Sequence, residues 1–371
     1  MAFRQRAPAQ TTTGQSFPKV WPVQSDTRED HDSRPATVNG LNQGERLEWN
    51  GRKGTCRGAA LSDGVGDVNK ASERYEQKVT FWGVRGTLPT PGTETLHYGG
   101  NTSCVEVTSI DKFKERQTSI ILDAGTGLAN FGDAALKRGD RTFHIILSHM
   151  HYDHIMGLLR FKPIFRSDCH IVVYGQSKCN MTLEDIFRRF FDAPFFPLQF
   201  WQLGASKTMK FVDLNGISEL TIDGVRVQFQ ALNHPQDAVA SRVWSYDRTT
   251  SVVYATDHEH GTDRDEELIS FARDATLFLY DSTYGEAGFG RYVGWGHSTP
   301  TAGAQIAKSA GVAAYGLFHH DPESSDADLE SYMLPEAKRT FRPSFLAVEN
   351  QTLRMNDLPE ASQREKKSRV G

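Results

Sequence analysis

The chain has 371 residues, a formal charge of −4 and 38% hydrophobic residues, which suffice to build at least one large core. Ordinary contents of glycine (32), proline (15) and cysteine (4) exclude collagen-like and disulfide-scaffold proteins, and 22 phenylalanines argue against a wholly disordered chain. Because basic and acidic residues nearly balance, we expect no long nucleic acid as a partner.

The two ends of the chain differ in composition from its middle. Residues 1–75 contain no isoleucine and are rich in small and polar residues, so they bury too little apolar surface to offset chain entropy. We predict a flexible extension over 1–75, one folded domain over 76–355 and a flexible tail over 356–371. The N-terminus lacks the apolar run of a signal peptide and no stretch is apolar enough to span a membrane, so we expect a cytoplasmic protein with no membrane partner.

Strands and helices are predicted from residue type and apolar spacing. Strands are expected at 79–82, 104–108, 119–122, 143–147, 171–174, 225–232, 242–246, 251–255 and 276–280. Helices are expected at 128–138, 183–191, 266–273 and 301–309. The mixture of adjacent strands and strand–helix units predicts a layered α/β or α+β domain.

Four residues at the end of a buried strand run point to metal chemistry. His149 and His151 are two residues apart, so in an extended backbone both imidazoles face the same side and reach one cation. Asp153 and His154 follow around the bend and can reach a second one. Imidazole and carboxylate ligands suit Zn²⁺ and similar divalent metals.

A site for two metals needs further ligands from other strand ends. His234 follows the run 225–232, Asp257 follows 251–255, and His319 follows the apolar run 311–318. A rigid sheet positions such loops so that they converge.

The motif His149-x-His151-x-Asp153-His154, with His234, Asp257 and His319, resembles the metallo-β-lactamase superfamily of metallohydrolases. Further segments resemble a bacterial branch near the ribonuclease Z and zinc phosphodiesterase groups: FWGVRGTLPTPG at 81–92, HYGGNTSC at 97–104, GHSTP at 296–300 and LFHHDP at 317–322. The resemblance implies a four-layer αββα sandwich with the metals at one edge.

The resemblance also implies a ligand set for two divalent cations, Zn²⁺ first and Mn²⁺ as the alternative. The first cation would be held by His149, His151 and His234. The second would be held by Asp153, His154 and His319, with Asp257 as the bridge. His320 competes with its neighbour His319, which is favoured because the family ligand stands two residues after a leucine.

Two residues are assigned catalytic roles. His297 matches a family position beside the scissile phosphate, where an imidazole donates to oxygen as negative charge develops. Asp153 would, besides binding metal, orient the nucleophile or accept its proton. The neighbours of Asp257, His258 and His260, are expected to support the site or lie at the surface. The remaining histidines are read as ordinary positions: His31, His97, His144 and His170.

These assignments predict a dinuclear hydrolase that uses a metal-bridging hydroxide on a small or single-stranded phosphodiester such as a cyclic nucleotide. One alternative is a hydrolase of carboxylic esters or lactones, and another is a metal-binding relative without catalysis. An iron redox enzyme is disfavoured, because the branch with that chemistry usually has glutamate where His151 stands. A pocket for an anionic group, with arginine or lysine near His297, would favour phosphate, whereas an apolar pocket walled by Phe195 and Phe196 without cations would favour the ester.

Two further segments have open interpretations. The stretch 187–201 holds seven aromatic residues and is either a core helix with a turn, a wall or lid of the site, or a homodimer contact. Residues 99–102, Gly-Gly-Asn-Thr, either line the metal edge or form a simple turn.

Overall fold

The structure, a computed structural model, describes residues 74–358. The strands of this part are β1 (Tyr75–Gly83), β2 (Cys104–Asp111), β3 (Arg116–Leu122), β4 (Thr142–Ile146), β5 (His170–Gly175), β6 (Lys210–Asp213), β7 (Glu219–Ile222), β8 (Val225–Leu232), β9 (Ala238–Trp244), β10 (Ser251–Ala255), β11 (Leu277–Asp281), β12 (Ala314–Phe318), β13 (Ser344–Leu346) and β14 (Thr352–Arg354).

The α-helices are α1 (Leu128–Arg138), α2 (Tyr152–Ile155), α3 (Leu183–Phe190), α4 (Arg264–Ala272), α5 (Pro300–Ala310), α6 (Asp326–Asp328) and α7 (Leu334–Thr340). A π-helical turn, Leu329–Met333, joins the last two helices. Short 3₁₀ helices lie at Thr93–Thr95, Met156–Arg160, Lys162–Phe165, Phe200–Gln202, Gly204–Lys207, Glu286–Arg291 and Met355–Asp357.

The strands form two mixed sheets of seven strands each. The first has the order β14-β1-β2-β3-β4-β5-β6 and the second the order β13-β12-β11-β10-β9-β8-β7. In the first sheet β3 to β6 run parallel, and in the second β10 to β13 run parallel. The central strands β10, β11 and β12 are buried along their whole length, as expected for parallel strands covered on both faces.

The domain has four layers, two sheets and two layers of helices, which pack on one another through three apolar clusters. Between the sheets, Phe81 and Leu122 from the first sheet pack in one cluster with Phe229 and Tyr254 from the second. The outer face of the first sheet is covered by a cluster that includes α1 and α3, and the outer face of the second by one that includes α4, α5 and α7. This arrangement confirms the predicted αββα sandwich.

Local signals explain where the helices beside the site begin and end. Thr299 caps α5 by accepting a hydrogen bond from the N–H of Ala302, and Pro300 fills the first helical position. The helix ends at Gly311, which adopts a left-handed conformation with φ of 67°. Helix α3 starts with a capping box between Thr182 and Asp185, worth about 1 kcal/mol.

The predicted elements agree with the structure in place, with some differences in extent. The helix at 128–138 has the predicted bounds, whereas the strand predicted at 242–246 is β9 and begins at Ala238. It also ends earlier, because hydrogen bonds between Ser245 and Thr250 turn the chain into a hairpin. The apolar run 311–318 contains β12, and the strands β6, β7, β13 and β14 were not predicted.

Residues 1–73 and 359–371 lie outside the described residues, so the predicted extension over 1–75 and tail over 356–371 stay predictions there. Tyr75 belongs to β1, and residues 356 and 357 belong to the last 3₁₀ helix. Within residues 74–358, no helix has the length and apolarity needed to cross a membrane.

Because β1 begins at Tyr75 and pairs with both β2 and β14, we expect a chain that starts at Arg74 to retain the fold. Removal of residues 1–73 should leave the thermal unfolding midpoint and the metal content nearly unchanged. Calorimetry and elemental analysis of the two proteins check this. A large fall in either quantity would mean that residues 1–73 contribute to the folded domain.

Candidate metal centre

All seven predicted ligands lie together at one edge of the sandwich. Each stands just after a strand of one of the two sheets: His149, His151, Asp153 and His154 after β4, His234 after β8, Asp257 after β10 and His319 after β12. All but His151 are buried. The strands β4, β8, β10 and β12 therefore bring distant parts of the sequence to a common point.

The first cluster contains His149, His151, His234 and Asp257, whose ligand atoms all lie within 4.8 Å of one another. His234 Nε2 is 3.2 Å from His151 Nδ1. Asp257 Oδ2 is 3.7 Å from both His149 Nε2 and His234 Nε2. Three imidazoles and one carboxylate oxygen therefore surround a common centre.

The second cluster contains Asp153, His154, His319 and the other oxygen of Asp257. His154 Nε2 lies 3.1 Å from Asp153 Oδ2 and 3.3 Å from Asp257 Oδ1. His319 Nε2 lies 3.1 Å and 3.2 Å from the same two oxygens. Asp257 thus faces each cluster with a different carboxylate oxygen, as a bridging residue must.

The spacing of these atoms fits a divalent cation such as Zn²⁺. Tetrahedral coordination with Zn–N distances of about 2.0–2.1 Å places neighbouring ligand atoms about 3.3 Å apart. In addition, His149 Nε2 and His154 Nε2 are buried and have no hydrogen-bond partner among the described residues. A buried polar atom without a partner costs about 1–3 kcal/mol, and a bound cation would remove that cost. The donor set therefore fits two cations, and the ligand roles stay predictions.

The second ring nitrogen of each cluster histidine is held by a partner outside the clusters. The contacts are His149 Nδ1 with Ser148 Oγ (3.0 Å), His151 Nε2 with Gln236 Oε1 (3.2 Å), His154 Nδ1 with Asp123 Oδ2 (2.7 Å), His234 Nδ1 with the Gly296 carbonyl oxygen (2.8 Å) and His319 Nδ1 with Thr283 Oγ1 (3.0 Å). Such partners fix the ring orientation and leave the inner nitrogen free to bind a metal.

Asp123 supports the second cluster and was missed by the sequence reasoning. This fully buried carboxylate accepts hydrogen bonds from the N–H and hydroxyl of Ser148, the hydroxyl of Tyr254 and the ring of His154. It stands directly after β3, which is the same signal that identified the ligands.

Asp281, the last residue of β11, was missed in the same way. Its carboxylate accepts hydrogen bonds from the main-chain N–H of Asp257 at 3.0 Å and of Ser298 at 3.2 Å. It also accepts a hydrogen bond from His297 Nδ1 at 2.8 Å. Burial lowers the pKa of the His297 imidazole, but the charge and hydrogen bond of Asp281 outweigh burial and raise this pKa to about 9. The Asp281 carboxylate therefore fixes the orientation of the His297 ring.

His319 and His320 have different surroundings. His319 lies in the second cluster, whereas His320 Nε2 donates to the carbonyl oxygen of Ala347 at 3.1 Å. Burial and the charge of Arg85 lower the pKa of His320 to about 3, so its ring is neutral. The structure thus places His319, the preferred candidate, at the site.

The other histidines lie outside the two clusters. His258 contacts Asp265 at 2.9 Å, and His260 contacts Ser298 Oγ at 2.7 Å, so both support the loops around the site. His97 and His170 are exposed, and His144 forms a hydrogen bond with the hydroxyl of Tyr174. His31 lies outside the described residues.

A cavity of about 530 Å³ opens onto both clusters. Its lining consists of Thr87, Leu88, Met150, His151, Tyr152, Asp153, Met156, Asp257 and His297. The lining contains no lysine or arginine, and Phe195 and Phe196 do not contribute to it. His297 is therefore the one imidazole outside the predicted ligand set that this cavity presents. It also belongs to a third group of possible ligand atoms, with Asp257, Asp281 and His319.

The two segments with open interpretations, residues 187–201 and 99–102, do not line the cavity that opens onto the clusters. In the aromatic stretch, Phe187 and Phe191 are core residues, whereas the Phe195 side chain is 87% exposed. Gly99, Gly100 and Asn101 line a separate cavity of about 340 Å³.

Comparisons with known proteins identify the family. Residues 118–320, more than half of the chain, match the family model described as a beta-lactamase superfamily domain. The chain belongs to this superfamily. Ribonuclease Z of Picrophilus torridus is 32% identical over 99 residues, which are 27% of this chain and 30% of the relative. The chain therefore matches less than a third of the length of that curated relative.

Solved structures show the same fold. The metallo-β-lactamase fold protein YhfI from Bacillus subtilis aligns with a TM-score of 0.56 at 19% identity and covers 75% of this chain and 99% of that protein. Yeast PDE1 aligns with a TM-score of 0.53 at 15% identity and covers 75% and 99% of the two chains. These likenesses show the metallo-β-lactamase fold that the sequence motif predicts.

The cluster geometry predicts close to two divalent ions per chain in protein purified without chelator. His151→Ala should lose most of this metal, because its Nδ1 is one of the ligand atoms of the first cluster. His170→Ala, which removes an exposed imidazole at the start of β5, is the matched control and should retain it. Elemental analysis measures all three proteins. Equal metal content in His151→Ala and the parent would contradict the assignment.

Proposed function

We propose that this member of the superfamily is a metal-dependent hydrolase that cleaves a small or single-stranded phosphodiester such as a cyclic nucleotide. The observation that carries the proposal is the cavity shared by the two clusters and His297. The match to a ribonuclease, a class of enzyme that cleaves phosphodiester bonds, supports the phosphodiester as substrate.

The cations of this proposal are Zn²⁺, with Mn²⁺ as the alternative. His149, His151 and His234 would hold the first, Asp153, His154 and His319 the second, and Asp257 would contact both. When bound, such cations make water more acidic and polarise a phosphoryl group.

Asp153 would orient the attacking water or accept its proton. Its Oδ2 accepts the main-chain N–H of Thr87 at 2.7 Å and contacts the rings of His154 and His319. These contacts fix the carboxylate, which lines the cavity and would accept a proton from the water.

His297 would act on the phosphoryl group or on the leaving oxygen, whereas Asp153 would act on the attacking water. Its Nδ1 donates to Asp281, so Nε2 is the nitrogen left to serve the cavity. A protonated Nε2 would donate to a phosphoryl oxygen or to the leaving oxygen as negative charge develops there. The cavity lining contains no lysine or arginine and neither Phe195 nor Phe196, so His297 is the group that supports phosphate as the substrate.

A small substrate fits the space available. A cavity of about 530 Å³ lies within the range of about 300–1,000 Å³ common for small-molecule sites. The expectations of a small phosphodiester partner, no long nucleic acid, a homodimer contact and a cytoplasmic location stay predictions.

The second candidate function is hydrolysis of carboxylic esters or lactones with the same metals. The observation in its favour is the apolar part of the cavity, formed by Leu88, Met150, Tyr152 and Met156. A metal-binding relative without catalysis is disfavoured, since all seven ligand positions are filled by residues able to bind metal.

A substrate panel separates the two candidates. We expect metal-loaded protein to hydrolyse bis-aryl phosphodiesters and cyclic nucleotides faster than lactones and aryl esters at equal concentration, because His297 would donate a hydrogen bond to a phosphoryl or leaving oxygen. Short single-stranded RNA extends the panel. Turnover of lactones alone would replace the phosphodiesterase proposal with the ester hydrolase.

A variant tests the role of His297. His297→Ala should retain both metals yet lower kcat for a phosphodiester by about 10²–10⁴-fold, the usual contribution of a positioned acid–base group. KM should change less, because the hydrogen bond strengthens only as charge moves onto oxygen. His170→Ala is the control and should turn over like the parent. Parental turnover by His297→Ala would remove this residue from the mechanism.

A further inference from the structure

The three residues after Asp257 connect to a glycine-rich segment, residues 285–296, that precedes His297. The carboxylate of Glu259 accepts the main-chain N–H of Gly294 with both oxygens at 2.8 Å, and it accepts the N–H of Gly296 at 2.8 Å. Hydrogen bonds to an ionised acceptor are among the stronger ones in proteins. One half-buried side chain therefore holds the end of the glycine-rich segment.

The same segment contacts the first metal cluster through its main chain. The carbonyl oxygen of Gly296 accepts the ring Nδ1–H of His234 at 2.8 Å, which leaves His234 Nε2 facing the cluster. Gly296 has φ of 85°, and a Cβ at this position would overlap the His234 ring. The carbonyl can thus reach the ring because residue 296 is a glycine whose N–H Glu259 holds.

The main chain around Glu259 holds the residue before His234 as well. The N–H of Glu259 donates to the carbonyl oxygen of Asn233 at 2.8 Å, and Asn233 Nδ2 donates to the Glu259 carbonyl oxygen at 2.7 Å. The N–H of Asn233 donates to His258 Nδ1 at 3.0 Å. These contacts do not involve the Glu259 carboxylate, so a change of that group alone leaves them in place.

We propose that Glu259 is a positioning residue for the first metal cluster: its carboxylate places the Gly296 carbonyl at His234 Nδ1 and so sets the affinity of this cluster for its cation. The proposal rests on the metal binding proposed above. A partner that orients a ligating histidine typically changes metal affinity by about 10–100-fold.

Glu259→Gln tests this proposal by removing the charge and one acceptor. The Gly294 N–H contacts both carboxylate oxygens, whereas the Gly296 N–H contacts only Oε2. In the amide one of these oxygens becomes an NH₂ donor that faces the Gly294 N–H, so the hold on the two glycines weakens. Glu286→Gln is the matched control. It removes one carboxylate charge from the glycine-rich segment that Glu259 holds, and Glu286 is exposed and contributes no side-chain hydrogen bond within residues 74–358.

The measurement is competition for Zn²⁺ between metal-free protein and a chromophoric chelator. We expect one of the two sites of Glu259→Gln to bind Zn²⁺ about 10–100-fold more weakly, with the other site unchanged. In Glu286→Gln both sites should match the parent. The Nδ1–H resonance of His234 should also exchange faster with water in zinc-loaded Glu259→Gln than in the parent.

Thermal unfolding of the metal-free proteins separates positioning from a structural role. The metal-free Glu259→Gln protein should unfold near the temperature of the Glu286→Gln control. If Glu259→Gln does not fold, Glu259→Asp keeps the charge but is too short to reach both glycines, and it should weaken the same site.

Several results would overturn the proposal. Parental zinc affinity in the folded Glu259 variants would exclude positioning, and equal weakening in Glu286→Gln would assign the effect to charge. A parent that binds no zinc would refute the metal site itself and this proposal with it. A parent with two zinc ions and an unchanged Glu259→Gln would refute the role of Glu259 alone.

Discussion

The structure depends on one buried carboxylate that two clusters share. Asp257 is 1% exposed and has imidazoles within 4 Å of both oxygens. Burial of an ionised group costs several kcal/mol unless opposite charge and hydrogen bonds compensate. Here the compensation comes from residues in the loops that follow β4, β8 and β12. Since β4 belongs to the first sheet and the other two strands to the second, the two sheets must pack in one relative position for the carboxylate to be stable. The packing of the two sheets and the formation of the site therefore depend on each other.

The loops around Asp257 are held by contacts that leave little freedom. Asp123, Asp257 and His319 adopt positive φ angles of 62°, 58° and 61°, which are uncommon for residues other than glycine. Asp123 and His319 directly follow β3 and β12, and Asp257 stands two residues after β10. Each is fixed by a hydrogen bond to a neighbouring loop or strand end. Strained backbone of this kind persists where the surroundings determine it and clusters at functional sites.

Much of the fold and site could be predicted from local sequence pattern. The central strands carry long apolar or alternating runs, and His149, His151, Asp153 and His154 form a dense motif. The four missed strands are all edge strands of three or four residues, paired on one side only, so burial imposes little pattern on them. Asp123 and Asp281 also follow strands, but a single aspartate after a strand is common in turns. Their function emerges only when the fold brings His154 and His297 to them.

Asp281 couples the metal centre to the proposed proton donor. One of its oxygens accepts both the N–H of Asp257 and the ring of His297, so the bridging residue and the donor share one acceptor atom. The other oxygen accepts the N–H groups of Thr283 and Ser298, which tie the ends of β11 and the glycine-rich segment together. Glu259 holds the same segment from its other side. A displacement of His297 therefore requires a displacement of Asp281 or Gly296, and each of these contacts a cluster residue. The apolar side chains of the cavity, Leu88, Met150, Tyr152 and Met156, make no hydrogen bond to Asp281 or Gly296. Their positions can therefore adjust to different substrates, while the polar residues of the cavity keep a single geometry.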